Sequence, residues 1–184
     1  MNSKGVAILA DPHPCGHIVY PYTDETQLAE AVCLFTGSGL RKGEAVVLVM
    51  TQAHYALIRG RLTTEGFDIP ELERSGLLVC EGAENLLSTF LFDGILDEHE
   101  FKTRIGAIIE RAKEAAGDQP VRIFGEMVSL IWETAPRATD RLEELWNQVI
   151  EAHSVPLLCA YALAGSKPDA LPSTLVDRHS HALA

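Results

Sequence analysis

The 184-residue chain predicts an α/β domain with a mainly parallel sheet and helices on both of its faces. Three observations predict it. Short, unbroken apolar runs recur, such as AVVLVM at 45–50 and LLCAY at 157–161, and a strand apolar at every position is one covered on both faces. Between the runs lie segments whose apolar residues return every three or four positions, the period of a helix with one buried side. The change from one pattern to the other is repeatedly marked by a glycine, a proline or a capping residue.

The elements follow in order. Residues 1–15, with Pro12 and Pro14 and weak periodicity, read as an N-terminal arm, and 16–184 as a single domain. HIVY at 17–20 is a first strand ended by Pro21. Asp24 and Gln27 have the spacing of a capping box, and Leu28, Ala31, Val32 and Phe35 then share a helix face that Gly37 and Gly39 are expected to stop. A turn over 40–44 leads into the strand 45–50. Thr51 caps a helix carrying Tyr55, Ile58 and Leu62 on one side, and Gly66 ends it.

The same unit returns after Gly76: strand 77–80, a helix over 83–92, then a longer helix in which Phe101, Ile105, Ile108, Ile109 and Ala112 align before Gly117. Residues 121–124 form a strand broken at Gly125-Glu126, and 127–132 resume as helix. Beyond Pro136, Leu142, Leu145, Trp146, Val149 and Ile150 make a buried stripe, with Arg141, Glu143, Glu144, Gln148 and Glu151 assigned to the opposite, polar side. A last strand covers 156–161, a loop 164–172, and a terminal helix 173–184.

Charge narrows the function. Twenty-six acidic against 15 basic residues give a net charge of -11, a field that repels nucleic acid and anionic membrane surfaces. No window approaches the roughly 20 apolar residues of a bilayer span, so a cytoplasmic protein is expected. The four cysteines are far apart and form no CxxC pair. They read as reduced thiols, and Cys159, within a strand, as a shielded one. His13, Cys15 and His17 crowd together, as do His179 and His181, but neither group has a recognised zinc spacing. No metal and no cofactor are therefore expected.

A phosphate-binding loop must follow a strand and open a helix. The glycine-rich stretch 37–44 instead precedes a strand, and the segment after Met50 reads Thr51-Gln52-Ala53-His54, with neither glycine nor a Lys-Ser/Thr pair. Ligands of parallel sheets favour the carboxyl ends of the strands, which places Tyr20 or Tyr22, Thr51, Glu81, Glu126 and Tyr161 along one edge, with His17 and His54 near it. Glu126 directly follows an apolar strand and starts a helix, whose positive end suits a carboxylate. Trp146 with Asn147 pairs a flat apolar surface with an amide that needs partners once buried. The candidate ligand-binding residues are His17, Tyr20, Glu126, Trp146, Asn147 and Tyr161; no catalytic residue is expected.

The ordered set GHIVY at 16–20, Gly39-Leu40 through Gly43-Glu44, GEMV at 125–128, Leu142-Glu143 with Leu145-Trp146-Asn147, and LCAY at 158–161 resembles the MEDS family, the methanogen/methylotroph sensory domain. The resemblance implies a degenerate RecA/KaiC-like fold without a working phosphate loop, used in prokaryotic signalling to sense small hydrocarbon derivatives. It also implies coupling to a histidine kinase or a transcription regulator. No such module lies in this chain, so output is expected to pass through a separate partner or self-association. The leading expectation is a non-catalytic sensory domain. A ligand-free protein-interaction domain and a residual nucleotide-binding, ATPase-like protein stay open beside it.

Overall fold

The computed structural model describes residues 1–163 and 171–183. The loop expected over 164–172 therefore falls largely outside the described residues. In chain order the elements are α1 (Ser3–Ala10), β1 (His17–Tyr22), α2 (Glu25–Arg41), β2 (Ala45–Met50), α3 (Gln52–Thr64), α4 (Ile69–Ser75), β3 (Leu78–Gly82) and α5 (Ala83–Leu87). They continue with β4 (Leu91–Phe92), β5 (Ile95–Leu96), α6 (Glu98–Ala116), β6 (Val121–Gly125), a 3₁₀ turn (Met127–Leu130), α7 (Pro136–His153), β7 (Leu157–Ala162), α8 (Ser173–Val176) and β8 (His181–Ala182).

Among the described residues six strands form one sheet in the order β3-β2-β6-β7-β1-β8, and every pairing in it is parallel. The α/β prediction holds. Side chains alternate across the sheet. Val19, Val47, Val49, Ile123, Leu157 and Cys159 join a core shared with α5, α6 and α7, whereas Ile18, Val46, Leu48, Phe124, Leu158 and Ala160 join one shared with α1 to α4. The chain leaves β2 for β3 over one face and β6 for β7 over the other, so the carboxyl ends of β2 and β6 flank a point where the winding reverses.

Five local readings need correction. Gly37 and Gly39 do not end α2, which runs on to Arg41. They serve packing instead: a Cβ on Gly39 would lie 2.5 Å from Nε of the buried Arg122, and one on Gly37 would lie 3.3 Å from the Phe67 ring. The helix expected over 83–92 stops at Leu87 and gives way to the β4–β5 hairpin. Its turn is Asp93-Gly94, with φ of 51° and 77°, the pair of left-handed residues that a two-residue hairpin turn demands. Residues 127–130 form a single 3₁₀ turn rather than a helix to 132. The expected terminal helix is only four residues long, followed by β8 along β1. Finally, Glu143 is not on the solvent side of α7 but fully buried.

Residues of the predicted arm also pack: α1 buries Leu9, whose carbonyl accepts a hydrogen bond from Arg122 Nη1 at 3.4 Å. Arg122 in turn lies against Glu44, with Nε 2.6 Å from its carboxyl group. Both side chains are buried, and that pairing is the usual condition for keeping a guanidinium out of water.

Candidate functional site

Besides the Arg122–Glu44 pair, two assemblies of buried polar groups stand out among the described residues, and a cleft lies apart from them. The first assembly sits between the sheet and α7. His17 opens β1 and faces the same side as Val19; Cys159 and Tyr161 reach that side from the neighbouring β7. Glu143 and Asn147, one helical turn apart on α7, come down from above. The stretch after α8 closes the group with His179, whose ring centroid is 4.0 Å from that of His17. Ser180 fastens this stretch to β1: its Oγ accepts from His17 N at 2.9 Å, and its own N–H donates to His17 O at 2.8 Å.

The hydrogen bonds fix which ring nitrogens carry protons. Asn147 Nδ2 donates to Arg178 O at 3.2 Å, so its Oδ1, 3.0 Å from His17 Nδ1, is left to accept from that nitrogen. His179 Nδ1 lies 2.8 Å from Leu175 O, which can only accept. Both imidazoles thus turn a bare Nε2 inward. His17 Nε2 is 3.2 Å from Cys159 Sγ and 3.3 Å from Glu143 Oε2. His179 Nε2 is 3.5 Å from the same Glu143 oxygen. Tyr161 donates its hydroxyl hydrogen to Glu143 Oε1. Among the described residues, neither Glu143 Oε2 nor His179 Nε2 has a hydrogen-bond partner.

Burial dominates the electrostatics here. It depresses the His17 imidazole to about 3, helped by the neighbouring His179, and the His179 imidazole to about 4. It raises the Glu143 carboxyl to about 7 and holds the Cys159 thiol well above its ordinary range. With both imidazoles neutral, the contacts of Glu143 to them are not ion pairs.

The second assembly occupies the winding reversal between β2 and β6. Glu126 follows β6 and is buried. One of its oxygens accepts from the Thr51 backbone N–H at the start of α3, and the other lies 2.6 Å from His54 Nδ1. That hydrogen bond raises the His54 imidazole above its ordinary value, against the opposing effect of burial. Thr51 caps α3 through Oγ1, which accepts from His54 N at 3.3 Å. A helix N-terminus of this kind is where a bound phosphate would be expected; in this chain the protein's own carboxyl group stands there.

The cleft, about 590 Å³, lies toward the carboxyl end of β1. Leu163, Val176 and Leu183 supply apolar walls, and Tyr20, Gln27 and Glu30 bring polar groups to it. The Tyr20 hydroxyl donates to Gln27 O at 3.3 Å.

Of the six residues expected to bind a ligand, the structure therefore brings together His17, Asn147 and Tyr161, and sets Tyr20 on the opposite face of the sheet, in the cleft. Glu126 belongs to the separate assembly with Thr51 and His54. Trp146 is 1% exposed and stacks edge-on to Phe101 at 5.3 Å, inside the core. The crowding of His13, Cys15 and His17 is not kept: His13 and Cys15 are exposed while His17 is turned inward. Sequence reasoning missed Glu143, Cys159 and His179 as members of one group. For Glu143 a signal existed, since Thr139, Glu143 and Asn147 follow one another at intervals of four and belong to one helix face. His179 and Cys159 are 20 residues apart, and nothing local joins them.

A family model described as MEDS, the MEthanogen/methylotroph, DcmR Sensory domain, matches residues 16–176. Among curated proteins, none matches this chain. The match takes in both buried assemblies except for the stretch after α8 that carries Arg178, His179 and Ser180, and it covers well over half of the chain. The chain belongs to the MEDS family of sensory domains.

Proposed function

We propose that this sensory domain is non-catalytic, takes a small, largely apolar, hydrocarbon-derived molecule in the cleft beside Tyr20, and signals its occupancy through a partner protein or self-association. The observation that carries the reading is the cleft itself. Its volume is within the range of small-molecule sites, roughly 300–1,000 Å³, and its apolar walls with a few polar groups match the chemistry of such a ligand. The degenerate nucleotide-binding ancestry implied by the family resemblance is consistent with Glu126, which fills the helix N-terminus that a nucleotide phosphate would need.

The test is a thermal-shift panel of short halocarbons, alcohols, methylated compounds and nucleotides on the full chain. A ligand at 100 times its Kd stabilises the folded form by about 2.7 kcal/mol, which raises the midpoint by roughly 5–10 °C in a chain of this length. Val176→Trp, which fills the cleft, is expected to abolish the shift. If no compound moves the midpoint, or if only nucleotides do, the reading fails.

One observation favours a ligand-free interaction domain as the second reading. Phe92 and Ile95, paired across the β4–β5 hairpin, are 57% and 72% exposed, and neighbouring exposed apolar side chains mark a contact surface where they are part of a larger patch.

A further inference from the structure

We propose that His17 Nε2, Glu143 Oε2, Cys159 Sγ and His179 Nε2 form a closed, four-coordinate site for a divalent transition-metal ion, with Zn²⁺ the best fit. The four donor atoms all lie within 4.8 Å of one another. Three of the six edges of the tetrahedron they outline measure 3.2, 3.3 and 3.5 Å. Tetrahedral Zn²⁺ with ordinary Zn–N, Zn–O and Zn–S bonds requires edges of roughly 3.3–3.6 Å. The other three edges are at most 4.8 Å, so receiving the ion requires those donors to close by no more than roughly 1.5 Å.

The hydrogen bonds around the four atoms fit the same assignment. Metal-binding histidines characteristically donate their remote N–H to an oxygen, and metal-binding carboxylates are themselves hydrogen-bonded. Here His17 Nδ1 is engaged by Asn147 Oδ1, His179 Nδ1 by Leu175 O, and Glu143 Oε1 by Tyr161. Each remote atom is therefore occupied, and each near atom points inward. The Glu143 and His179 side chains are both 0% exposed, and their inward atoms are orphaned among the described residues. Buried acceptors facing one another repel unless a cation or a proton stands between them. Two neutral imidazoles, a thiolate and a carboxylate carry two negative charges, which one divalent ion balances; binding releases any protons on Cys159 and Glu143.

All four positions come from protein, and the side chains exclude water, so the site resembles structural rather than catalytic zinc centres. It would clip the segment carrying His179 onto β1, β7 and α7. That segment also supplies Val176 to the cleft. The site does not depend on the sensory reading, because its geometry stands without any ligand in the cleft.

The experiment is metal titration of the full chain after treatment with EDTA. One equivalent of Zn²⁺ is expected to bind per chain and to raise the thermal midpoint, and Co²⁺ is expected to give a thiolate-to-metal charge-transfer band with the intense visible absorption of tetrahedral coordination. Cys159→Ser should abolish that band. Asn147→Ala, which removes only the orienting amide, should weaken Zn²⁺ binding by about 10–100-fold; circular dichroism shows that each variant is folded. A double His13→Ala/Cys15→Ala variant should bind as the parent does. The assignment is overturned if the parent takes up no stoichiometric metal, if its Co²⁺ form has no thiolate band, or if metal binding is lost in the His13/Cys15 variant and kept in Asn147→Ala at parental strength.

Discussion

At the junction of β2 and β6, both Glu126 oxygens have hydrogen-bonding neighbours, the Thr51 N–H for one and His54 Nδ1 for the other. Between α7 and the strands β1 and β7, Glu143 has such a donor, Tyr161, for one oxygen only among the described residues; the other faces two imidazole lone pairs. Both groups are buried, yet the first is satisfied within the polypeptide, whereas the second leaves Glu143 Oε2 and His179 Nε2 without partners among the described residues. The difference teaches how to separate structural from functional polar groups in one fold: satisfied groups support the elements around them, and converging unsatisfied ones mark a site.

The largest expected effect is at the satisfied assembly. Glu126→Ala strips the partner from the α3 amide end and from His54, and should lower the unfolding free energy by about 3 kcal/mol, as hydrogen bonds to a charged group of this kind are each worth roughly 1.5–3 kcal/mol. Urea denaturation measures it. A loss below about 1 kcal/mol would break the comparison, because Glu126 would then not be a structural support.

A smaller effect is expected at the other assembly when metal is withheld. The paired change Glu143→Met/Tyr161→Phe removes both the buried acceptor and its donor, and such exchanges for apolar groups are close to neutral or stabilising. In EDTA the variant should lie within about 1 kcal/mol of the parent in the same denaturation assay. A large destabilisation would mean that Glu143 holds the fold as Glu126 does.

The smallest effect is a dependence on pH. His54 has a raised pKa in the folded protein, owed first to its hydrogen bond with Glu126 and also to the charges of Glu126, Glu25 and Glu84. Below the ordinary imidazole value of 6.5 the ring is protonated both folded and unfolded, and the pairing contributes in full. As pH rises through the raised folded-state value, that contribution is lost. The urea midpoint of the parent relative to His54→Gln should therefore fall between pH about 6.5 and the folded-state value. A flat difference would show that His54 and Glu126 do not interact as a charged pair.

Much of this arrangement was legible in the residues. The fully apolar runs of β2 and β7 depend only on local pattern, and the structure keeps both. Thr51 was legible as a cap because its oxygen acts within three residues. The hairpin at Asp93-Gly94 was missed, although its dipeptide favours left-handed backbone, because the apolar residues before it mimic a helix period. Half of the buried group was found: His17, Asn147 and Tyr161 stood out by residue type, whereas Glu143 was assigned to solvent and Cys159 to inert packing.

What the sequence alone determined is the alternation of strands and helices, since hydrophobic period and turn chemistry act over a few residues and need no distant partner. Only the tertiary structure decided that Gly39 makes room for Arg122, that Glu126 closes the amide end of α3, and that His17, Glu143, Cys159 and His179 meet. Those encounters join positions up to 162 residues apart, from 17 to 179. The last of them exists because β1 inserts between β7 and β8, and the other two because β2 pairs with β6; strand order is set by how both faces bury their apolar side chains together rather than by any short stretch of chain.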